Sequence, residues 1–150
     1  MSKQLIGVSQ LIAGGMKLDE FFTQAKAAGY EAVELRLAKE GELTLQTPTA
    51  ELRGIAARAR AAGLQLVSMV HGQMTGNLLD SGPAQRTGIE ETLAGLRIAA
   101  ELGIGCTLHT LGRLRADLFY DDGYRNGVAA LKEIAQTAAQ LKVALAVEFV

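Results

Sequence analysis

Two histidines, one strand-end glutamate and a glutamate–arginine pair carry the chemistry this sequence offers. His71 and His109 are the chain's only histidines. Glu148 is the one ionisable residue near the C-terminal end of the apolar run LKVALAVEFV. Imidazoles and carboxylates move protons and ligate divalent ions. Two imidazoles with a carboxylate suit Zn or Mn, whereas a carboxylate-rich site suits Mg or Mn. Glu34 and Arg36, two apart in EAVELR, share a strand face and can pair with each other or hold a substrate. Arg113, with Arg115 close by, is a loop cation with the charge and reach to hold a phosphate.

Such residues need strands that end together. Apolar runs over residues 4–9, 31–36, 64–71, 104–110 and 141–150 read as five strands, with helical apolar spacing between them. Thr47 and Pro48 read as an N-cap followed by proline at the first helical position. The helix-to-strand junctions AKAAGYEAVEL, ARAAGLQLVSM, AAELGIGCTLH and AAQLKVALAVE recur roughly every 35 to 40 residues, the size of one βα unit. Strict alternation predicts a parallel sheet with right-handed crossovers. No GxGxxG follows the first strand and no GxxxxGK[ST] occurs, which counts against a nucleotide-binding doubly wound fold.

Small or polar residues (Gly7 and Ser9, Glu34 and Arg36, Ala144 and Ala146) share one strand face, as they would inside a barrel. The expected fold is therefore α/β, a (β/α)8 TIM-barrel type left incomplete, with four βα units and a fifth parallel strand. Residues 1–150 are read as the N-terminal part of a single TIM-barrel domain, and a flavodoxin-like sheet is the alternative. Strand-to-helix connections are long and the returns are little more than a glycine, so the working end is at the strands' carboxyl ends. His71, His109 and Glu148 end the third, fourth and fifth strands. With neighbouring strands ~4.8 Å apart, the three are expected to converge on one ion or small ligand.

Composition removes several classes. The 150 residues are 49% hydrophobic and 21% charged with a formal net charge of −1, so the chain is globular and has no global attraction for nucleic acid or anionic lipid. No apolar run reaches the ~18 residues of a membrane span, and the N-terminus lacks signal-peptide character. Cys106 is the single cysteine, which excludes intrachain disulfides and thiolate zinc ribbons and favours a cytoplasmic location.

The blocks GYEAVELR, GLQLVSMVHG, IAAELGIG before CTLHTLG, and VALAVEF, in that order, resemble the first five strands of the xylose isomerase-like barrels. These are sugar and sugar-phosphate isomerases and epimerases, with the apurinic endonucleases as structural relatives. The resemblance implies a metal-dependent isomerase or epimerase acting through an enediolate. Glu148 would be a catalytic proton-transfer group and a ligand of a divalent cation (Mn or Mg, with Zn or Co as alternatives). His71, His109, Glu34, Arg36 and Arg113 would line a sugar or sugar-phosphate pocket. In the endonuclease branch the two histidines would be zinc ligands.

A complete barrel has eight units over ~250 residues. The family's further ligands (an Asp, a His and a second Glu on the sixth to eighth strands) have no counterpart here. The sequence is therefore expected to be the N-terminal part of a longer enzyme, inactive alone. A half barrel that pairs with itself or another chain, as a non-catalytic interaction module or homo-oligomer, is the other reading. No membrane partner is expected, and nucleic acid is disfavoured by the charge.

Overall fold

A computed structural model describes residues 4–71 and 75–148. Five strands are present: β1 (Gly7–Ser9), β2 (Ala32–Leu37), β3 (Gln65–His71), β4 (Cys106–Thr110) and β5 (Ala144–Glu148). Four helices alternate with them: α1 (Leu18–Ala27), α2 (Thr49–Ala61), α3 (Gly82–Leu102) and α4 (Tyr120–Leu141). The strands form one parallel sheet in sequential order, β1-β2-β3-β4-β5. A doubly wound sheet reverses its strand order part-way. This one never does, so each crossover advances to the next strand as in a barrel.

The repeated junctions have a common local cause. After each helix an amide two or three residues past its last residue reaches back to a carbonyl five residues earlier. The four bonds are Tyr30 to Ala25 (3.1 Å), Leu64 to Ala59 (3.0 Å), Ile104 to Ala99 (2.8 Å) and Val143 to Ala138 (3.1 Å). This closure needs one left-handed residue, supplied by Gly29, Gly63 and Gly103 in the first three units. In the fourth unit the sequence has no glycine, and Lys142 takes the left-handed conformation instead (φ 56°).

The core lies between the sheet and the helices. Val33, Leu35, Leu37 and Met69 point from β2 and β3 into a layer closed by Phe22, Ile55 and Leu96. All seven are almost wholly buried. Each such side chain contributes on the order of 1.5–3 kcal/mol on burial. The alternation read in EAVELR is borne out, with Val33 and Leu35 toward the helices and Glu34 and Arg36 on the other face.

Several boundaries differ from expectation, β1 starting at Gly7 and β4 at Cys106 among them. The apolar run at 141–150 is not strand throughout: α4 extends to Leu141, β5 begins at Ala144, and residues 149–150 lie outside the described set. Residues 10–13 form one turn of 3-10 helix after Ser9, whose side chain accepts the Leu11 N–H. Thr47 does not cap α2. Its hydroxyl accepts the Thr44 N–H at 2.8 Å, and the helix starts after Pro48.

Candidate active site

Register assigns every candidate residue to a face, because directly paired residues on neighbouring strands point the same way. The inner face runs through Ser9 and Glu34, and then, one level nearer the carboxyl ends, through Arg36, Val70, Leu108 and Ala146. The level beyond pairs Thr110 with Glu148. Glu148 therefore stands on the inner face at the carboxyl edge of β5, exposed. Glu34 accepts the Ser68 hydroxyl at 2.7 Å. The two inner-face carboxylates sit on β2 and β5, three strand steps apart, or ~14 Å along a flat sheet. Arg36 is exposed on the same face, and its backbone N–H is held by Gln10 Oε1 at 2.8 Å. Arg113 is exposed in the loop after β4, where its carbonyl accepts from Asn77 Nδ2 at 2.9 Å.

The histidines are on the other face. His71 continues the helix-facing row of Leu35, Leu37 and Met69, and His109 pairs with Val147, not with Glu148. The expected convergence of His71, His109 and Glu148 is thus absent from the structure. For His71 the reason is a bulge. Leu66 pairs with Val33 but Ser68 pairs with Glu34, leaving Val67 as an extra residue. One extra residue inverts the face of everything after it. For His109 the reason is parity, since the inner-face partner of Glu148 is Thr110.

Behind the sheet the two rings meet edge to face at a centroid distance of 4.8 Å, under α3. Thr92 Oγ1 donates its hydrogen to the Gly88 carbonyl at 2.8 Å. The His109 contact to that oxygen at 3.4 Å must therefore be donated by Nε2–H, leaving His109 Nδ1 as a bare lone pair. His109 Nδ1, both His71 nitrogens and Thr107 Oγ1 are buried with no hydrogen-bond partner. Burial holds both imidazoles neutral. His71 is lowered to about 3 by desolvation and then by His109, and His109 is lowered to about 4 by desolvation against an opposing pull from Glu91.

The family is decided by comparison. The model of the xylose isomerase-like TIM barrel matches residues 22–150. The chain belongs to that family. No curated protein matches the chain. An L-ribulose 3-epimerase structure superposes with a TM-score of 0.81 at 20% identity, over 99% of this chain and 50% of that one. A D-psicose 3-epimerase determined in the presence of D-fructose gives 0.79 at 20% identity, over 95% and 51%. The 3-keto-D-glucoside 4-epimerase from E. coli gives 0.76 at 19% identity, over 97% and 56%. At these identities the likeness establishes the fold, and the chain spans about half the length of the structures it matches. The incomplete-barrel expectation is borne out.

In a barrel of parallel strands the residues that reach the working end from inside are those on the inner face. Ser68 and Thr110 join it without having been singled out in the sequence, and Gln10, in the turn after β1, holds the Arg36 N–H. Ser68 alone carried a signal, as a hydroxyl in an apolar strand, but the bulge beside it hides its face. Among the described residues no group of three or more histidine, cysteine, aspartate or glutamate side chains is placed to hold a metal ion. Of the three residues expected to converge on an ion, Glu148 is the one on the inner face. No helix among the described residues is long and apolar enough to cross a membrane.

Proposed function

We propose that this chain supplies the first five strands of a sugar or sugar-phosphate isomerase or epimerase, with Glu148 as its catalytic carboxylate. The observation that carries this reading is the position of Glu148: inner face, carboxyl end of β5, exposed toward the space a ligand would occupy. A carboxylate there can take the proton from the carbon next to a substrate carbonyl, giving an enediolate. Return of that proton along the same face exchanges aldose and ketose, and return from the opposite face inverts the carbon. A divalent cation, Mn or Mg in this reading, stabilises the developing oxyanion when bound. Glu34, fixed by Ser68, and Arg36 are suited to hold the substrate's hydroxyl or phosphate groups, with Arg113 at the rim. β1 and β5 end the sheet with unpaired edges, so we read the active unit as a completed barrel and these residues alone as inactive.

We favour this reading over the zinc-dependent endonuclease on two counts. Its histidine ligands would face away from Glu148, and the −1 net charge offers no basic track for a phosphate backbone. In a complete barrel carrying this half, Glu148→Gln should slow exchange of the substrate's α-proton with solvent deuterium by 10²- to 10⁴-fold, the usual contribution of a general base. Undiminished exchange would remove Glu148 from the mechanism. Cleavage of abasic DNA with no action on any sugar would restore the endonuclease.

A further inference from the structure

Asn77 joins the loop after β3 to the loop after β4 and uses every polar group it has to do so. Its backbone N–H donates to the Ala84 carbonyl at 3.2 Å, and its carbonyl accepts the Asp80 N–H at 3.2 Å. Its side-chain Oδ1 accepts the Leu79 N–H at 3.1 Å, and Nδ2 donates to the Arg113 carbonyl at 2.9 Å. These partners fix which end of the amide is which, since an N–H needs an acceptor and a carbonyl needs a donor. The next residue repeats the join: the Leu78 N–H donates to the Leu111 carbonyl at 3.1 Å, and the Leu78 side chain is buried. From α4, Asn126 Nδ2 reaches the Leu79 carbonyl at 3.0 Å, so residues 77–79 are held from both sides.

The Asn77 amide lies directly over Gly112. A Cβ there would fall 1.9 Å from Asn77 Oδ1, and Gly112 has a φ of 115°, which residues with side chains rarely adopt. Glycine is a soft point in a chain, and the residue after it, Arg113, is exposed. The Arg113 guanidinium has no hydrogen bond or ion pair among the described residues. Arg115, two residues on, differs. It meets Asp117 through two contacts of 3.1 Å and the buried Asp80 at 3.6 Å. Those carboxylates are taken, and Arg113 is left as a free cation on a clamped backbone at the working end.

We propose that Asn77 is a positioning residue and that the substrate it serves is a sugar phosphate: by clamping the chain at Gly112 and Arg113, its amide holds the Arg113 guanidinium ready for the phosphate group. This rests on the isomerase or epimerase reading above and adds the charge of the substrate to it. A guanidinium offers a planar fork of N–H donors that matches the oxygens of a phosphate two at a time. Fixing its backbone beforehand lowers the ordering cost that binding would otherwise carry. Arg113 is then the group that touches substrate, and Asn77 acts only through it.

The test uses the complete barrel that carries these residues and a panel of ketopentoses and ketohexoses, each free and as its terminal phosphate ester. The esters should be the better substrates by roughly tenfold or more in kcat/KM. Arg113→Gln should remove that preference by raising KM for the esters about 10- to 100-fold, the weight of a charge-assisted pair. Asn77→Asp is nearly isosteric and keeps the acceptor for Leu79 but cannot donate to the Arg113 carbonyl. It should raise KM for the esters about fivefold or more and leave kcat in place. Gly112→Ala displaces the amide without adding charge and should do the same. In an Arg113→Gln background Asn77→Asp should add nothing, because it acts through that side chain. A cost that persists there, or one shared equally by the free sugars, would make Asn77 a structural staple and overturn the proposal. Equal use of free sugars and esters would overturn the phosphate while leaving Glu148 in its role. Absence of α-proton exchange with every member of the panel would instead remove the sugar reading, and this inference with it.

Discussion

Gly95 is the position where the packing is most exposed to a single-atom test. It lies on the buried face of α3, and a Cβ built on it would sit 2.0 Å from His71 Cε1 and 2.3 Å from Nε2. Carbon atoms in contact prefer about 3.5–4.0 Å, so the ring would have to retreat by roughly 1.5 Å. It has little room, since the His109 ring stands 4.8 Å away, edge to face. In an exposed helix interior, Gly→Ala gains about 1 kcal/mol. Here overpacking of about 1–3 kcal/mol or more opposes that gain, and the near-complete burial of His71 puts the balance at the costly end. Gly95→Ala should therefore destabilise the chain by about 1–2 kcal/mol net, seen as a lower urea midpoint at unchanged m-value. The decisive comparison is the cycle with His71→Ala. Without the imidazole the alanine should become neutral or stabilising, a coupling of about 2–3 kcal/mol, within the range for contacting residues. If Gly95→Ala costs the same with and without His71, or stabilises the parent chain, the ring does not sit under α3 as described.

Acid should weaken the fold through the same pair. Folded values of about 3 for His71 and about 4 for His109 lie below the unfolded 6.5, so the unfolded state binds more protons and stability falls as pH drops below 6.5. At pH 5 the loss reaches about 2 kcal/mol per imidazole as a ceiling. Denaturation midpoints of a His71→Leu/His109→Leu double variant should be flatter over that range, and equal slopes would contradict it. Lys142→Gly should stabilise by about 0.5–1 kcal/mol, because it relieves a left-handed side-chain residue at the end of α4; a loss of thermal stability would show that the Lys142 conformation carries no strain. Thr92→Val removes the acceptor of a buried N–H and should cost about 1–3 kcal/mol. That cost should vanish in a His109→Leu background, and its persistence there would argue against the assigned His109 tautomer.

The fold was legible because its signals repeat, and the site was only half legible because its signals do not. Four junctions with the same chain reversal, and one strand (EAVELR) with charges on one face and Val33 and Leu35 on the other, fix the βα repeat and the inner face of β2. The inner position of Glu148 follows from similar alternation against Val143, Leu145 and Val147. β3 and β4 lack that contrast. A strand covered on both faces shows no polarity rule, and in β4 the usual one is reversed: apolar Leu108 lies inside while Thr107 and His109 face the helices. In β3 no reading of alternation survives the extra residue at Val67. Two histidines at strand ends therefore pointed to a site that they do not face. What could have been noticed is the helix above them. α3 carries Gly88, Thr92 and Gly95, all buried, a small-residue stripe with one hydroxyl that makes poor sense against leucines. Against two imidazoles it makes good sense: Gly95 leaves space for the His71 ring, and Thr92 accepts the His109 N–H. Thr92 and Gly95 and the strand-end histidines account for one another, while Gly88 gives room to the 76–78 loop, and Glu148 stands apart from them on the inner face.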